Sequence, residues 1–256
     1  MLLISSPPPT RYDLRFTLIG IPIRVHPFFW LMTALLGASA GSLIGLLIWI
    51  PAVFVSILVH ELGHGLAMRR FGQVPKIELH LGGGSTAAEP FWWGNTPVTV
   101  QLTPGQNVLI ALAGPGAGFL LAALVMGIAA AAGGSVGVTF LLGVLPLPAV
   151  GFTARFWIAA LIANTLLWIN IFWGLINLVP VNPLDGGNIA RTLLLRSDPW
   201  NGARNSLRVS VAAGAVVAVA GLVFLGSPWI ALLFGFLAFQ SWQMLQGHPG
   251  SGFFQG

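Results

Sequence analysis

The chain has 256 residues, of which 56% are hydrophobic and only 7% are charged, against about 25% charged in an average soluble domain. A mean hydropathy of +0.87 excludes an ordinary soluble globule, and it excludes disorder, which needs low hydrophobicity and high charge. The net charge of +5 does not make a nucleic-acid face, because the basic residues are scattered among apolar segments, and without cysteine there is no disulfide framework and no thiolate metal site.

The bilayer is the natural solvent for this composition, at about 20 residues per helical span. The N-terminal MLLISSPPPT lacks the charged start and long apolar core of a signal peptide. RFTLIGIPIRVH alternates and is β-branched, which predicts a short strand or interfacial segment. From Phe28 to Val59 there is no charge, a run too long for one span, and the small residues from Gly37 to Ser42 can break it. Span 1 is expected near 27–41 and span 2 near 43–70. Residues 71–104 turn polar, with three successive glycines at 82–84 and alternating VTVQL, and read as short strands with turns. Span 3 is expected near 106–132. Residues 133–154, broken by Gly, Pro146 and Pro148, read as a loop or re-entrant piece. Span 4 follows at about 156–178, then a polar segment at 182–208, and spans 5 and 6 near 209–225 and 229–246. The expected fold is an all-α polytopic membrane protein of about six helices, with a small membrane-associated β region between spans 2 and 3. It forms a single domain over 1–256.

Charge placement agrees with this count. With the N-terminus inside, Arg11, Arg15, Arg24, Arg69, Arg70, Lys76, Arg191, Arg196, Arg204 and Arg208 lie inside and only Arg155 lies outside, as the positive-inside rule asks. Both termini are then cytoplasmic. A compact chain with one Lys and no Cys points to a prokaryotic cell membrane.

Two of the six acidic residues sit at the ends of apolar segments, where an ionisable group is costly and therefore a functional candidate. Glu61 lies in His60-Glu61-Leu62-Gly63-His64, an H-E-x-x-H pattern. On a helix, positions i and i+4 share a face, so His60 and His64 can hold one metal ion, and Glu61 is placed to exchange a proton with a metal-bound water. A third ligand must come from elsewhere. Position 70 is Arg, and Glu78 and Glu89 fall in the strand region. Asp185, in NLVPVNPLDGG at 177–187, is the better candidate, because the ends of spans 2 and 4 share one membrane face in the six-span layout. Pro180, Pro183, Gly186 and Gly187 unwind the helix there. Without thiolates, a His/His/Asp set suits zinc, and suits other divalent metals too.

HELGH at 60–64 followed one pair of spans later by NLVPVNPLDGG resembles the site-2 protease family of intramembrane zinc metalloproteases, peptidase family M50. GIPIRVHPFF at 20–29 and AGPGAG at 113–118 are similar to the family as well. The match covers roughly 15–195, the expected catalytic core, with the spans at about 209–246 in addition. The resemblance implies one zinc ion on His60, His64 and Asp185, with Glu61 as catalytic glutamate and Asn177 as an amide donor to the oxyanion. It implies a membrane-spanning protein substrate cleaved in the bilayer, as in regulated intramembrane proteolysis. Members often carry Asn after the G-P-x-x step, where this chain has Gly118. Many carry a PDZ or CBS domain, for which the sequence has no room, so it resembles a minimal form.

Other features read more plainly. His26 before a span reads as interfacial or packing, His80 as surface or structural, and His248 as solvated. Gly82–Gly84 is either an open strand edge that could hold a substrate backbone or a flexible turn. Trp92, Trp93 and Trp229 fit an interfacial belt, and Gly114, Gly116 and Gly118 fit close helix packing. Two rival functions use the same residues: a membrane zinc transporter or sensor built on the His/His/Asp set, and an inactive scaffold.

Overall fold

The structure is a computed structural model that describes residues 7–38, 41–93, 96–98, 100–141, 145–224 and 226–247, with backbone only at 91–93, 96–97, 141 and 145–146. His248 and the side chains of Trp92 and Trp93 lie outside this description. The chain forms two compact units, Met1–Leu102 with Leu112–Gly174, and Thr103–Ala111 with Leu175–Gly256. Among the described residues, five helical segments are long and apolar enough to cross a bilayer: Leu43–Arg70, Pro104–Ala131, Ala154–Asn177, Gly202–Val223 and Pro228–Gln246.

The first unit opens on a hairpin of β1 (Leu14–Leu18) and β2 (Ile21–Val25). Ile19 and Gly20 turn it with φ of 51° and 76°. The reading as one short strand therefore becomes two. Helix α1 (Pro27–Gly37) and helix α2 (Leu43–Arg70) then carry the chain to β3 (Val74–His80) and β4 (Gly83–Glu89). The four strands form one sheet in the order β1-β2-β3-β4. The pair β2–β3 is parallel, in register Ile23↔Ile77, and the other two pairs are antiparallel. A parallel pair needs a crossover, and α1–α2 supplies it, so the chain leaves and returns at the same end of α2. Beyond β4, a short β5–β6 pair (Phe91–Trp93, Thr96–Val98) completes the strand region expected at 71–104.

One face of the sheet is apolar: Ile21, Ile23, Val25, Ile77 and Leu79 are fully buried in one cluster with Leu58 and Leu62 of α2. On the other face, the buried guanidinium of Arg24 pairs with Asp13 at 3.3 Å and Glu78 at 2.8 Å, and Lys76 reaches Glu78 at 3.1 Å. The Glu78 hydrogen bond is the main reason the Arg24 pKa lies above its ordinary value. Desolvation pushes the Asp13 carboxyl up, but hydrogen bonds from the Thr10 hydroxyl, the Thr10 N–H and Arg24 prevail and hold it at about 2.

Helix α1 is shorter than the expected 27–41. Its 11 residues span about 16 Å, roughly half the hydrocarbon core. It starts on His26, whose Nδ1 accepts the Phe28 N–H at 3.2 Å, and Pro27 suits the first turn. It stops at Gly37, where a Cβ would stand 2.3 Å from Trp49 of α2. The Trp49 indole N–H donates to the Thr33 carbonyl at 3.0 Å, a side-chain bond that ties α1 to α2. Helix α2 starts on Ser42, which accepts the Gly45 N–H, and ends with Arg69 and Arg70 against the negative end of its dipole.

Helix α3 (Pro104–Ala131) matches span 3. Residues 133–154, expected as a loop or re-entrant piece, instead form an antiparallel hairpin of β7 (Ser135–Leu141) and β8 (Leu145–Gly151). Proline is tolerated because a two-stranded ribbon has only edges. Asn164 of α4 (Trp157–Trp168) clasps β8 by accepting the Val150 N–H at 2.9 Å and donating to the Val150 carbonyl at 2.7 Å. A π-helical turn (Ile169–Trp173) leads to α5 (Gly174–Asn177).

In the second unit, Asn182–Pro183 is a cis peptide before α6 (Asp185–Ser197). The expected polar segment at 182–208 is thus helical over much of its length. Helices α7 (Gly202–Val223) and α8 (Pro228–Gln246) pair closely. A Cβ at Gly214 would stand 3.0 Å from the Ala238 Cβ, and one at Gly221 would stand 2.6 Å from Ile230. Small residues at such contacts replace the hydrophobic drive that lipid does not supply. Trp229, exposed at the first turn of α8, suits the interfacial role.

Candidate metal centre

His60, Glu61 and His64 lie in the last three turns of α2, which stays helical because its apolar positions pack on the sheet and on α4. The i, i+4 spacing places the two Nε2 atoms 3.1 Å apart, with the rings nearly perpendicular at 80°. Two nitrogen ligands of one tetrahedral zinc, each at about 2.0–2.1 Å, stand about 3.3 Å apart. The pair therefore fits one ion with little adjustment.

The surroundings are built tightly around these atoms. A Cβ at Gly114 of α3 would lie 2.2 Å from the His64 Nε2 and 2.8 Å from the His60 Nε2. A Cβ at Gly63 would lie 2.3 Å from the Ala113 carbonyl. The glycine-rich step at 113–118 does more than let helices approach, because Gly114 brings bare backbone to the imidazoles. Gly118 faces the Asn170 side chain, with 3.3 Å between its ideal Cβ and Oδ1, and Gly116 faces open space. Asn170, buried in the π-helical turn, donates to the Ser56 hydroxyl at 2.9 Å and to the Leu166 carbonyl at 2.9 Å. Ser56 stands one helical turn before His60. Asn170 thus fixes the face of α2 on which the histidines lie.

Glu61 is buried, with 6% of its surface exposed. The Thr86 hydroxyl of β4 donates to its Oε2 at 2.6 Å and lies 3.1 Å from its main-chain carbonyl. Thr86 has no signal in the sequence, because the contact links residues 25 positions apart through the register of β4. Gly82 lies in the turn, while Gly83, at φ 113°, and Gly84 open β4, an edge strand of the sheet.

The remaining expected site residues sit on elements of the second unit. Asp185 opens α6, where a carboxylate is favoured by the helix dipole. The glycines after it are needed for contact, since a Cβ at Gly186 would lie 2.2 Å from the Leu178 carbonyl and one at Gly187 would lie 2.6 Å from Val181. Asn177 closes α5 and is half-buried. The weaker candidates have structural work. His26 caps α1, and His80 is buried rather than at the surface, its Nδ1 accepting the Gly82 N–H at 3.2 Å. Desolvation holds the His80 pKa below its ordinary value despite Glu78. Glu78 and Glu89 lie in the ion-pair network around Lys76.

The site is comparable with known proteins. A relative from Synechocystis sp. is 28% identical over 86% of this chain and 51% of its own length. One from Mycobacterium tuberculosis is 28% identical over 82% of this chain and 50% of its own. Both are provisionally named zinc metalloproteases. A Methanocaldococcus jannaschii protein named a zinc metalloprotease is 25% identical over 84% of this chain and 54% of its own length. The chain therefore spans about half the length of these curated relatives. The solved site-2 protease from Methanocaldococcus jannaschii shares the fold, with a TM-score of 0.55 and 23% identity over 95% of this chain and 100% of that one. The profile described as peptidase family M50 matches residues 48–221, the stretch holding HELGH, the glycine step and LDGG. The chain belongs to peptidase family M50.

Proposed function

We propose that this protein is an intramembrane zinc metalloendopeptidase of the site-2 protease type, which cleaves transmembrane or membrane-inserted segments of protein substrates. The observation that carries the reading is the 3.1 Å approach of the His60 and His64 Nε2 atoms, with a buried carboxylate on the residue between them, inside an apolar helix of spanning length. Buried ionisable groups at such a place are costly, which makes them functional candidates.

In this proposal His60, His64 and Asp185 hold the zinc ion. Bound zinc supplies Lewis acidity, lowering the pKa of water to about 7 and polarising a carbonyl. Glu61 takes a proton from the attacking water and delivers it to the leaving amine nitrogen as the peptide C–N bond breaks. The Asn177 amide donates to the carbonyl oxygen as it gains negative charge. A substrate helix hides its carbonyls in its own hydrogen bonds, so it must unwind locally before attack. The free edge of β4 offers backbone groups to hold it once extended. The biological role is release of a membrane-tethered regulator or clearance of signal-peptide remnants.

Orientation follows from charge. The shared sheet puts Arg15, Arg24 and Lys76 at one end of α2, and the positive-inside rule makes that end cytoplasmic, in a prokaryotic cell membrane. The test is cleavage of a panel of transmembrane reporters in liposomes. Cleavage lost on chelation and restored by zinc is the expected result. Zinc flux across the same liposomes without cleavage would favour the transporter.

A further inference from the structure

The edge strand β4 lies against the Glu61 carboxylate, bonding one oxygen and leaving room for the other. The Thr86 hydroxyl stands 2.6 Å from Oε2, a separation typical of a hydroxyl donating to a charged carboxylate. It has one proton to give, so the main-chain carbonyl of Glu61, at 3.1 Å, is the weaker acceptor. Two residues earlier, on the same face of the strand, Gly84 presents bare backbone: its ideal Cβ would lie 2.5 Å from Oε1 and 2.7 Å from Cδ of Glu61. The carboxylate is thereby confined between a donor and a wall. A glutamate side chain released from such contacts regains rotamers, and that freedom must be lost again on reaching a reactive pose.

We propose that Thr86 is a positioning residue for Glu61, its hydroxyl fixing the rotamer from which the carboxylate meets the water, with Gly84 leaving the room. This deepens the protease reading and rests on it. Thr86 acts through Glu61 and not on the substrate, so its loss lowers turnover and leaves substrate affinity unchanged. A Thr86 that merely seats β4 on α2 would answer to shape alone, and valine, nearly isosteric, would replace it without effect.

The chain has three glutamates, at 61, 78 and 89, so a sample carrying ¹³Cδ-glutamate gives three carboxylate resonances, and the one lost in Glu61→Gln is assigned. Thr86→Val, Thr86→Ser and wild type are compared in liposomes by this spectrum, by bound zinc, by thermal stability and by the kinetics of a cleaved reporter. The expected result is a shifted Glu61 resonance in Thr86→Val, unchanged zinc, and kcat about 10- to 100-fold lower at unchanged KM, as for loss of a group that orients a reacting one. Thr86→Ser restores both resonance and kcat. If Thr86→Val does not fold, Thr86→Ala, which also lacks the hydroxyl, takes its place. Full turnover without the hydroxyl, or an unmoved Glu61 resonance, overturns the role alone. A wild type that cleaves no reporter overturns the protease reading and this role with it.

Discussion

At the scale of single residues, the centre depends on atoms that are missing as much as on those present. Gly114 is the sharpest case, because an added methyl would lie 2.2 Å from the His64 Nε2, far inside van der Waals contact. Gly114→Ala is expected to lower zinc affinity by about 10- to 100-fold in equilibrium dialysis, whereas Gly116→Ala, facing open space, leaves it unchanged. The Arg24 cluster makes an independent prediction about stability. Arg24→Met takes the guanidinium from the Asp13 and Glu78 carboxylates it now bridges, leaving Asp13 to Thr10 and Glu78 to Lys76, at a cost of roughly 1.5–3 kcal/mol for the lost charged hydrogen bond, read as a lower unfolding midpoint in denaturing detergent. Acid acts on the same sheet in two windows. The His80 pKa is depressed by burial from its ordinary 6.5, so below that pH the unfolded chain takes up a proton that the folded chain resists, and stability falls. Asp13 is held at about 2, below its ordinary 3.8; its contribution is complete above the unfolded value and is lost as pH falls from there toward 2. Midpoints measured from pH 8 to 2 are expected to decline in these two steps, and a flat profile would contradict the assignment.

At the scale of elements, what was legible in the sequence follows from which forces are local. Span 3 and spans 5 and 6 were readable because hydropathy sums over one segment, and α3, α7 and α8 fall within a few residues of those readings at most ends. α1 is shorter than the sequence suggests because a charge-free run of 32 residues does not say where Trp49 will meet Gly37. The hairpin at 135–151 was hidden because Pro146 and Pro148 read as breakers, while its support is the distant amide of Asn164. Asn164→Ala removes both bonds to Val150. At about 1 kcal/mol for one net bond, amide exchange at 147–151 is expected to rise roughly fivefold or more, with α7 and α8 as unchanged internal controls. In the site, HELGH and LDGG were plain because their chemistry lies in residue type and spacing. Thr86, Gly84 and the Asn170–Ser56 bond were not, because each exists only once strand register and helix rotation are set.

At the scale of the whole molecule, an apolar chain with six acidic residues buries Glu61 beside a histidine pair in a spanning helix. The membership in peptidase family M50 and the geometry of α2 lead to the same proposal, a zinc endopeptidase that uses Glu61 as base and then acid. That claim separates the role of Glu61 from the role of the metal ligands, since removing a base need not release an ion held by neighbouring imidazoles. The most direct measurement sets wild type beside Glu61→Gln in liposomes, with reporter cleavage and bound zinc quantified in the same samples. The expected result is about one zinc in each protein and cleavage by wild type alone. Equal cleavage by both, or undiminished zinc transport with cleavage by neither, would contradict it.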